Sequence, residues 1–293
     1  MHHKDLSRRD FVLTAAGTLL TTRAVGADLR AFTAQDVAER IRANVGVPWR
    51  ATSADGIKAG TTTTPITGIA TATMATMDVL KRAAASRHNF IVSQEPTFYA
   101  ANDVAGTREN DPIYQAKLAF INDNNLVIFR LNDHWNARQP HPSSAALAAA
   151  LGWAGYKAPD AEQIYRVPKT TLGALTAAVR KQLNINGGMR TLGPANMPIA
   201  SVLVSAGTTD IPNTIANLPH ADAMISGEPR EWEVVPYIAD TWAAGAGKGL
   251  IVVGRYVSEE PGMKACAAWL RSFVTDVPVE ALPMGDIYWS PTA

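Results

Sequence analysis

Two polar residues at the end of an apolar run point most directly to chemistry in this chain. Gln94 and Glu95 follow Phe90-Ile91-Val92-Ser93 in the 293-residue sequence. Polar side chains that leave a buried strand of an open α/β sheet line the crevice in which such folds bind their ligands. A carboxylate there is either a solvated loop residue or part of a polar binding or catalytic site. We expect this strand end to form part of a functional site.

Four further apolar runs are followed by polar residues or glycines in the same way. The segments at these run ends are Asn132-Asp133-His134-Trp135, Gly207, Gly227-Glu228 and Gly254 to Glu260. The carboxyl ends of parallel strands lie along one edge of a sheet, so their loops line a common crevice. We therefore expect the five segments to lie near one another in the folded chain.

The elements that must position these residues alternate between strand and helix patterns. Strands are predicted at 66–71, 90–93, 126–131, 199–205, 223–226 and 250–253, and helices at 75–86, 111–122, 171–183, 211–218, 232–243 and 261–273. Asp111 and Thr171 are predicted helix N-caps. The alternation predicts an α/β fold with parallel pairing. Its two rounds predict two related lobes, with residues 28–150 plus 227–293 in the first, which carries the site, and 151–226 in the second.

Residues 1–27 have the features of an export signal. Arg8 and Arg9 precede a mild apolar run at 15–20, and a small-residue triplet ends the segment. This order predicts a twin-arginine signal, recognised by the twin-arginine export machinery, that would bring the folded protein to the periplasm. The alternatives are a basic amphipathic helix or a cloning scar. The apolar run is too short to span a membrane.

Composition narrows the classes of partner. The chain has 27 Lys and Arg against 26 Asp and Glu, a formal net charge of +1, without basic runs. Nucleic-acid binding needs clustered basic residues, so we expect neither nucleic acid nor a membrane as a partner. Cys266 is the single cysteine, which excludes an intrachain disulfide. It lies in an apolar segment, which predicts a buried thiol.

Six segments, in order along the chain, carry a resemblance to a known family. They are Gly68 to Thr76, Glu95 to Tyr99, Asn110 to Gln115, Asp133 to Trp135, Gly227 to Trp232 and Ser258 to Met263. With them the chain resembles the Ngg-interacting-factor-three-like family of dinuclear-metal hexameric proteins, also catalogued as GTP cyclohydrolase 1 type 2. The resemblance implies two interlocked α/β lobes with mixed sheets, a toroidal homohexamer and a two-metal crevice at strand carboxyl ends. It also implies hydrolytic chemistry such as GTP ring opening.

The chain departs from the family's metal pattern at several positions. Gln94 and Arg255 stand where the resemblance leads us to expect histidines, and Asn132 replaces a further histidine. Arginine stays protonated and cannot coordinate a metal. The metal ligands that the resemblance leaves are Gln94, Glu95, His141 and Glu259. Such a set would hold one zinc or manganese ion per chain or none.

The remaining polar residues at the strand ends are predicted to line a substrate pocket. They are Asn132, Asp133, Glu228, Glu231 and Arg255. Each also has a structural alternative, as a turn cap, a helix N-terminal residue or a solvated loop residue. His141, between two prolines, is similarly either a ligand or an exposed loop histidine.

Three functions remain open from the sequence. The first is an exported binding protein with a degenerate metal site, in which Arg255, Gln94 and Asn132 present donors to an anionic small molecule. The second is a metal-dependent hydrolase, residual or fully active, with Glu95 or Glu231 as the base. The third is an unrelated enzyme that shares only the export signal.

Overall fold

The computed structural model describes residues 31–104, 106–289 and 291. Its described elements follow one another as α1 (Ala34–Asn44), β1 (Gly56–Ala59), β2 (Ile69–Ala72), α2 (Met77–Ala85), β3 (Phe90–Ser93), α3 (Pro112–Asp123), β4 (Val127–Arg130), α4 (Asp133–Asn136), α5 (Pro142–Ala150), β5 (Ile164–Thr171), α6 (Leu172–Gln182), β6 (Arg190–Leu192), β7 (Pro198–Thr209), α7 (Ile211–Asn217), β8 (Ala223–Pro229), α8 (Val234–Ala243), β9 (Gly249–Val252), α9 (Arg255–Arg271) and β10 (Val279–Ala281). The export signal predicted at residues 1–27 lies outside the described residues.

Five strands form a first mixed sheet in the order β1, β4, β3, β2, β10. The last four run parallel, whereas the edge strand β1 pairs antiparallel with β4. Every residue of β2, β3 and β4 is buried, as expected for parallel strands covered on both faces. Helices α1 and α9 cover one face through Ile41 and Cys266. Helices α2 and α3 cover the other through Leu80 and Ile121.

Five further strands form a second mixed sheet in the order β5, β7, β8, β9, β6. Strands β7, β8 and β9 are parallel, and β5 and β6 are antiparallel edges. Helices α6 and α9 pack on one face through Val179 and Val257, and α8 packs on the other through Val234 and Ile238. Together the two sheets confirm the predicted α/β class with mixed sheets flanked by helices.

Sheet membership differs from the predicted lobes after residue 226. Residue 227 lies inside β8, and β9 pairs parallel with β8, so residues 227–252 belong with the second sheet. The chain returns to the first sheet only after these residues, through α9 and β10.

Helix α9 begins earlier than predicted. The sequence favoured a start near Pro261, because proline is common in the first turn of a helix. The helix instead begins at Arg255, after Gly254 at a φ of 98°, and Pro261 lies inside it. The segment expected as a loop is therefore helical, which places Arg255 and Glu259 four residues apart on one face.

Several smaller predictions are confirmed. The Asp111 side chain accepts from the N–H groups of Ile113 and Tyr114, and Thr171 caps α6 in the same way. The Cys266 thiol is free and buried, and burial raises its pKa. Among the described residues, no helix combines the length and the hydropathy needed to cross a bilayer.

Candidate functional site

Gln94 and Glu95 extend the parallel pairing of β3 beyond the end of the strand. The Glu95 N–H donates to the Thr73 carbonyl over 2.8 Å, and the Gln94 N–H donates to the Ala72 carbonyl over 3.2 Å. Both side chains are buried, with 4% of Glu95 exposed and none of Gln94. These backbone bonds fix Glu95 at the carboxyl edge of the first sheet.

Arg255 lies among three carboxyl groups at this edge. Its Nη2 is 2.8 Å from Oε2 of Glu95, and its Nη1 is 3.2 Å from Oε2 of Glu228. Its Nε is 4.0 Å from Oε2 of Glu259, too far for a hydrogen bond. Asn132 donates from Nδ2 to Oε1 of Glu95 over 3.4 Å. We call Arg255, Glu95, Glu228 and Glu259 the Arg255 cluster.

Three elements bring the Arg255 cluster together. Glu95 follows β3 of the first sheet, Glu228 lies in β8 of the second sheet, and α9 supplies Arg255 and Glu259 from its first two turns. The cluster therefore joins both sheets, as the predicted common crevice requires. Asn132, at the carboxyl end of β4, confirms that a second strand end of the first sheet contributes.

Burial controls the protonation of the Arg255 cluster. The pKa of Glu259 is raised well above 4.5, first by burial and then by the charge of Glu95 and a hydrogen bond to it, while Arg255 opposes the shift. Burial also disfavours the Arg255 guanidinium, but the charges of Glu95 and Glu259 outweigh burial and raise the pKa of Arg255. Glu259 therefore favours its protonated form although it lies beside a charged guanidinium.

The backbone of Gly207 lies directly against the buried carboxyl group of Glu259. Gly207 has a φ of 72°, and a Cβ built on it would lie 2.5 Å from Oε1 of Glu259. Its N–H donates to the Ser258 hydroxyl over 2.9 Å, and that hydroxyl donates to the Arg255 carbonyl over 2.6 Å. Glycine is required because any side chain would occupy the space of the buried carboxyl.

Two cavities flank the Arg255 cluster and share Met74, Glu228 and Arg255. The first, of about 460 Å³, is also lined by Glu95, Pro96, Tyr99 and Arg130. The second, of about 610 Å³, is also lined by Arg190, Tyr256 and Tyr288. Both volumes suit a small molecule. The Arg255 cluster thus lies within reach of ligands from two sides.

Gln94 is buried without a polar partner. Within the described residues, neither its Oε1 nor its Nε2 has a hydrogen bond, and the same is true of Oε2 of Glu259 and Nε of Arg255. Orphaned polar atoms in a protein interior are costly and mark places where a water, an ion or a ligand would be held. Three of the four residues predicted as metal ligands, Gln94, Glu95 and Glu259, therefore lie in or beside a polar interior.

Asp133 stabilises a loop of the chain and lines neither of these two cavities. Its Oδ2 accepts from the Ala54 N–H over 3.0 Å. Next to it, the His134 Nδ1 is 2.7 Å from Oδ2 of Asp55, and the His134 Nε2 accepts from the Arg50 N–H over 2.8 Å. Asp55 also accepts from three consecutive N–H groups at 132–134. The sequence had given Asp55 no role, and it anchors the strand end that presents Asn132.

His141 is the N-cap of α5. Its Nδ1 accepts from the Ser144 N–H over 3.3 Å, and its own N–H donates to Oε1 of Glu162 over 2.8 Å. Burial lowers the pKa of the imidazole, although Glu162 opposes that effect. The side chain thus has a local structural task, and it lines neither cavity beside the Arg255 cluster.

Glu231 lies apart from the Arg255 cluster. It is an exposed residue whose carboxylate pairs with Arg190, and the two line a separate cavity of about 240 Å³. Of the predicted pocket residues, the structure brings together Asn132, Glu228 and Arg255, and it places Asp133 and Glu231 elsewhere.

The family of the chain is shown by a match along most of its length. The model of Duf34/NIF3 (NGG1p interacting factor 3) matches residues 35–285. The chain belongs to the Duf34/NIF3 family. No curated protein matches it.

Several solved structures share the fold of this chain. Staphylococcus aureus protein SA1388 is 18% identical, with a TM-score of 0.69 over 89% of this chain and 99% of that chain. A Bacillus cereus protein related to NIF3 is 12% identical, with a TM-score of 0.65 over 88% and 99%. Protein TTHA1606 from Thermus thermophilus is 15% identical, with a TM-score of 0.60 over 85% and 97%. These identities show a common fold and no more.

Two of the predicted metal ligands of this Duf34/NIF3 protein are engaged by other groups of the chain. In the part of the chain that the structure describes, no three His, Cys, Asp or Glu side chains are grouped so that they could hold an ion. Glu95 is bound to the Arg255 guanidinium, and His141 caps a helix. The binding of a single zinc or manganese ion remains a prediction.

Arg130 is a site residue that the sequence reading missed. It ends the buried strand β4, lines the first cavity, and contacts the Ala101 carbonyl and Oδ2 of Asp103. Asp103 accepts from the N–H groups of Thr97 and Phe98, so the pair folds the loop after Glu95 over the cavity. A charged residue within an otherwise apolar strand was the available signal.

Proposed function

We propose that this Duf34/NIF3 protein binds a small molecule at the Arg255 cluster without a two-metal centre. The observation that carries the proposal is the contact between the Arg255 guanidinium and Glu95, with Glu259 also facing it. These are the two carboxylates that the family resemblance assigns to metal. A fixed guanidinium supplies the positive charge that they would otherwise take from an ion.

The charge balance of the cluster decides the ligand class. Three carboxyl groups face a single guanidinium, so the cluster stays negative even with Glu259 protonated. Arg255 is already engaged, and Arg130 is paired with Asp103. An anionic ligand, which the sequence favoured, would meet net repulsion. The ligand that fits is a small molecule with amino or hydroxyl groups, which donate to Glu228 and Glu95.

Matched charged probes test this ligand class. We expect 1,4-diaminobutane to bind saturably in calorimetry and succinate, which has a similar length and the opposite charge, to bind much more weakly. Glu228→Gln should weaken diamine binding about tenfold, since it removes a charge-assisted hydrogen bond. The exposed Glu109→Gln is the control. Preferential binding of succinate would contradict the proposal.

The metal content of the purified protein tests the degenerate site. We propose that each chain holds at most one zinc or manganese ion, because Arg255 competes for Glu95 and Glu259. Elemental analysis should find one ion or fewer per chain, and Arg255→Met should raise the affinity for Zn²⁺ in equilibrium dialysis. Two tightly bound ions per wild-type chain would contradict it.

A metal-dependent hydrolase is the second candidate. The buried oxygen atoms of Gln94 and Glu259 without partners favour it, because both are groups that could receive an ion if Arg255 moved aside. In that case GTP turnover would appear on addition of Mn²⁺ or Zn²⁺ and would disappear in Glu259→Gln. The binding function predicts no metal-dependent turnover above background in either protein.

Export and assembly are further parts of the proposal. We propose that the protein is exported folded to the periplasm through the twin-arginine pathway and assembles as a homohexamer. The order of residues in the first 27 positions supports export, and family membership supports the oligomer. Replacing Arg8 and Arg9 with Lys should retain the protein in the cytoplasm. Light scattering should give six chain masses, and a monomeric mass would refute the assembly.

A further inference from the structure

A third cavity, of about 530 Å³, lies between α9 and the carboxyl ends of β2 and β10, and no residue of the Arg255 cluster lines it. Its apolar wall includes Ala72, Leu183, Val257 and Leu282. The charged and polar groups Thr73, Glu260, Lys264 and Asp286 also line it, and the Asp286 carboxylate already accepts hydrogen bonds from within the chain. An apolar cavity of this size with a few polar groups is the usual form of a small-molecule site.

Thr73 gives this cavity a buried polar group that no residue satisfies. Only 2% of Thr73 is exposed, and its hydroxyl has no hydrogen-bond partner among the described residues. The neighbouring Thr71 hydroxyl, by contrast, donates to the Met263 carbonyl over 2.7 Å. A buried hydroxyl without a partner costs about 1–3 kcal/mol, a cost that a ligand in the cavity would remove.

Glu260 and Lys264 add opposite charges that do not neutralise each other. They lie four residues apart on α9, yet they form no ion pair, and Lys264 has no polar partner within the described part of the chain. Glu260 uses only Oε1, which accepts from the Gly285 N–H over 3.1 Å. One carboxylate oxygen and one ammonium group thus remain to bind a ligand of both charges.

The spacing of Glu260 and Lys264 along α9 matches the length of a dipeptide. Four residues of α-helix rise about 6 Å, and an extended chain of two residues spans about 6–7 Å. We propose that this cavity binds a zwitterionic dipeptide with apolar side chains, its ammonium group on Glu260 and its carboxylate on Lys264 and Thr73. The apolar wall takes up the side chains.

L-leucyl-L-leucine is the probe for this site. Calorimetry with the full chain should show saturable binding of the dipeptide. N-acetyl-leucyl-leucine, which lacks the ammonium group, and leucyl-leucinamide, which lacks the carboxylate, should each bind about fivefold to tenfold more weakly, as expected for charge-assisted hydrogen bonds at a partly exposed site. Lack of saturable binding at millimolar dipeptide, or equal binding of the blocked peptides, would overturn the proposal.

Variants assign the two ends of the peptide. Lys264→Met should weaken leucyl-leucine binding fivefold to tenfold but leave leucyl-leucinamide binding unaffected. Glu260→Gln should also weaken leucyl-leucine binding, but it should leave the binding of N-acetyl-leucyl-leucine unaffected. Lys169→Met, at an exposed lysine of β5 that does not line the cavity, is the matched control. Lys264→Met should leave 1,4-diaminobutane binding at the Arg255 cluster unaffected, so failure at this cavity and failure of the proposed function can be distinguished. Equal losses from Lys264→Met for all three peptides would contradict the assignment.

Discussion

At the residue scale, the identity of residue 255 determines the electrostatics of the site. A histidine there could coordinate a metal, whereas arginine cannot lose its proton. Its guanidinium instead binds Glu95 and Glu228 and faces Glu259. The result is a polar cluster that keeps a net negative charge and leaves several buried atoms without hydrogen bonds.

Replacing Glu259 with Gln should stabilise the protein at neutral pH. The raised pKa of Glu259 means that the native state holds its proton above pH 4.5 while the unfolded state has lost it. Stability therefore falls as pH rises through this window, and a neutral amide avoids the loss. We expect Glu259→Gln to gain about 1 kcal/mol at pH 7 and nothing at pH 4.

Urea unfolding of metal-free protein at both pH values measures this difference. Glu39→Gln, on the exposed surface of α1, is the control and should show no such dependence on pH. A lower stability of Glu259→Gln at pH 7 would mean that the ionised carboxylate stabilises the fold.

Lys117 should give the opposite pH dependence at alkaline pH. It is buried and donates to the Thr97 carbonyl over 2.6 Å, and burial lowers its pKa to about 8, although Asp103 opposes the shift. Between this value and 10.5 the unfolded state binds the proton that the native state has lost, so stability rises with pH. Lys117→Met should lack this rise.

The measurement is the difference in unfolding free energy between wild type and Lys117→Met at pH 7.5 and pH 10. Subtraction removes the other groups that titrate in this range. An equal difference at both pH values would contradict the lowered pKa.

At the element scale, the early start of α9 creates the site. Strand β9 ends at Val252, and α9 begins at Arg255. The first two turns of α9 therefore carry Arg255 and Glu259, the two residues that the helix adds to the Arg255 cluster. Gly207 of β7 lies so close to this helix that a side chain there would meet Oε1 of Glu259.

Gly207→Ala should destabilise the protein by about 1–3 kcal/mol. Two causes add: the φ of 72° is unfavourable for alanine, and the new Cβ would lie 2.5 Å from Oε1 of Glu259. Gly155→Ala is the matched control, because its backbone φ is ordinary and its Cβ would meet no atom within 4 Å. Urea unfolding measures both, and equal stabilities would contradict the close packing.

At the scale of the whole molecule, α9 connects the two sheets. It packs on the first sheet through Met263 and Cys266 and on the second through Tyr256 and Val257. The chain also returns to the first sheet with β10 after completing the second. Neither sheet can therefore lose its core without exposing part of the same helix.

This shared helix predicts that residues 32–293 unfold in one cooperative transition. Tryptophan fluorescence and far-UV circular dichroism should give coincident urea curves, because Trp135 reports on the first core and Trp153 on the second. Two separated transitions would show that the sheets are independent domains.

The sequence predicted the alternation, because buried parallel strands read as short apolar runs and amphipathic helices repeat at their own period. It did not predict the edge strands β1, β5, β6 and β10, because the place of each in a sheet depends on a partner that is distant in the chain. Asp55 and Arg130 were missed for the same reason, since their partners are remote in the chain.

By itself, the sequence determined the α/β class, the six family segments and the residue types at positions 94, 132 and 255, because these depend only on local residue patterns and residue types. Only the tertiary structure decided which of these residues meet. It brought Arg255 to Glu95 across about 160 positions of sequence and sent His141 and Glu231 to other partners. The physical reason is that contacts of this kind depend on the packing of α9 between two sheets, which no local pattern records.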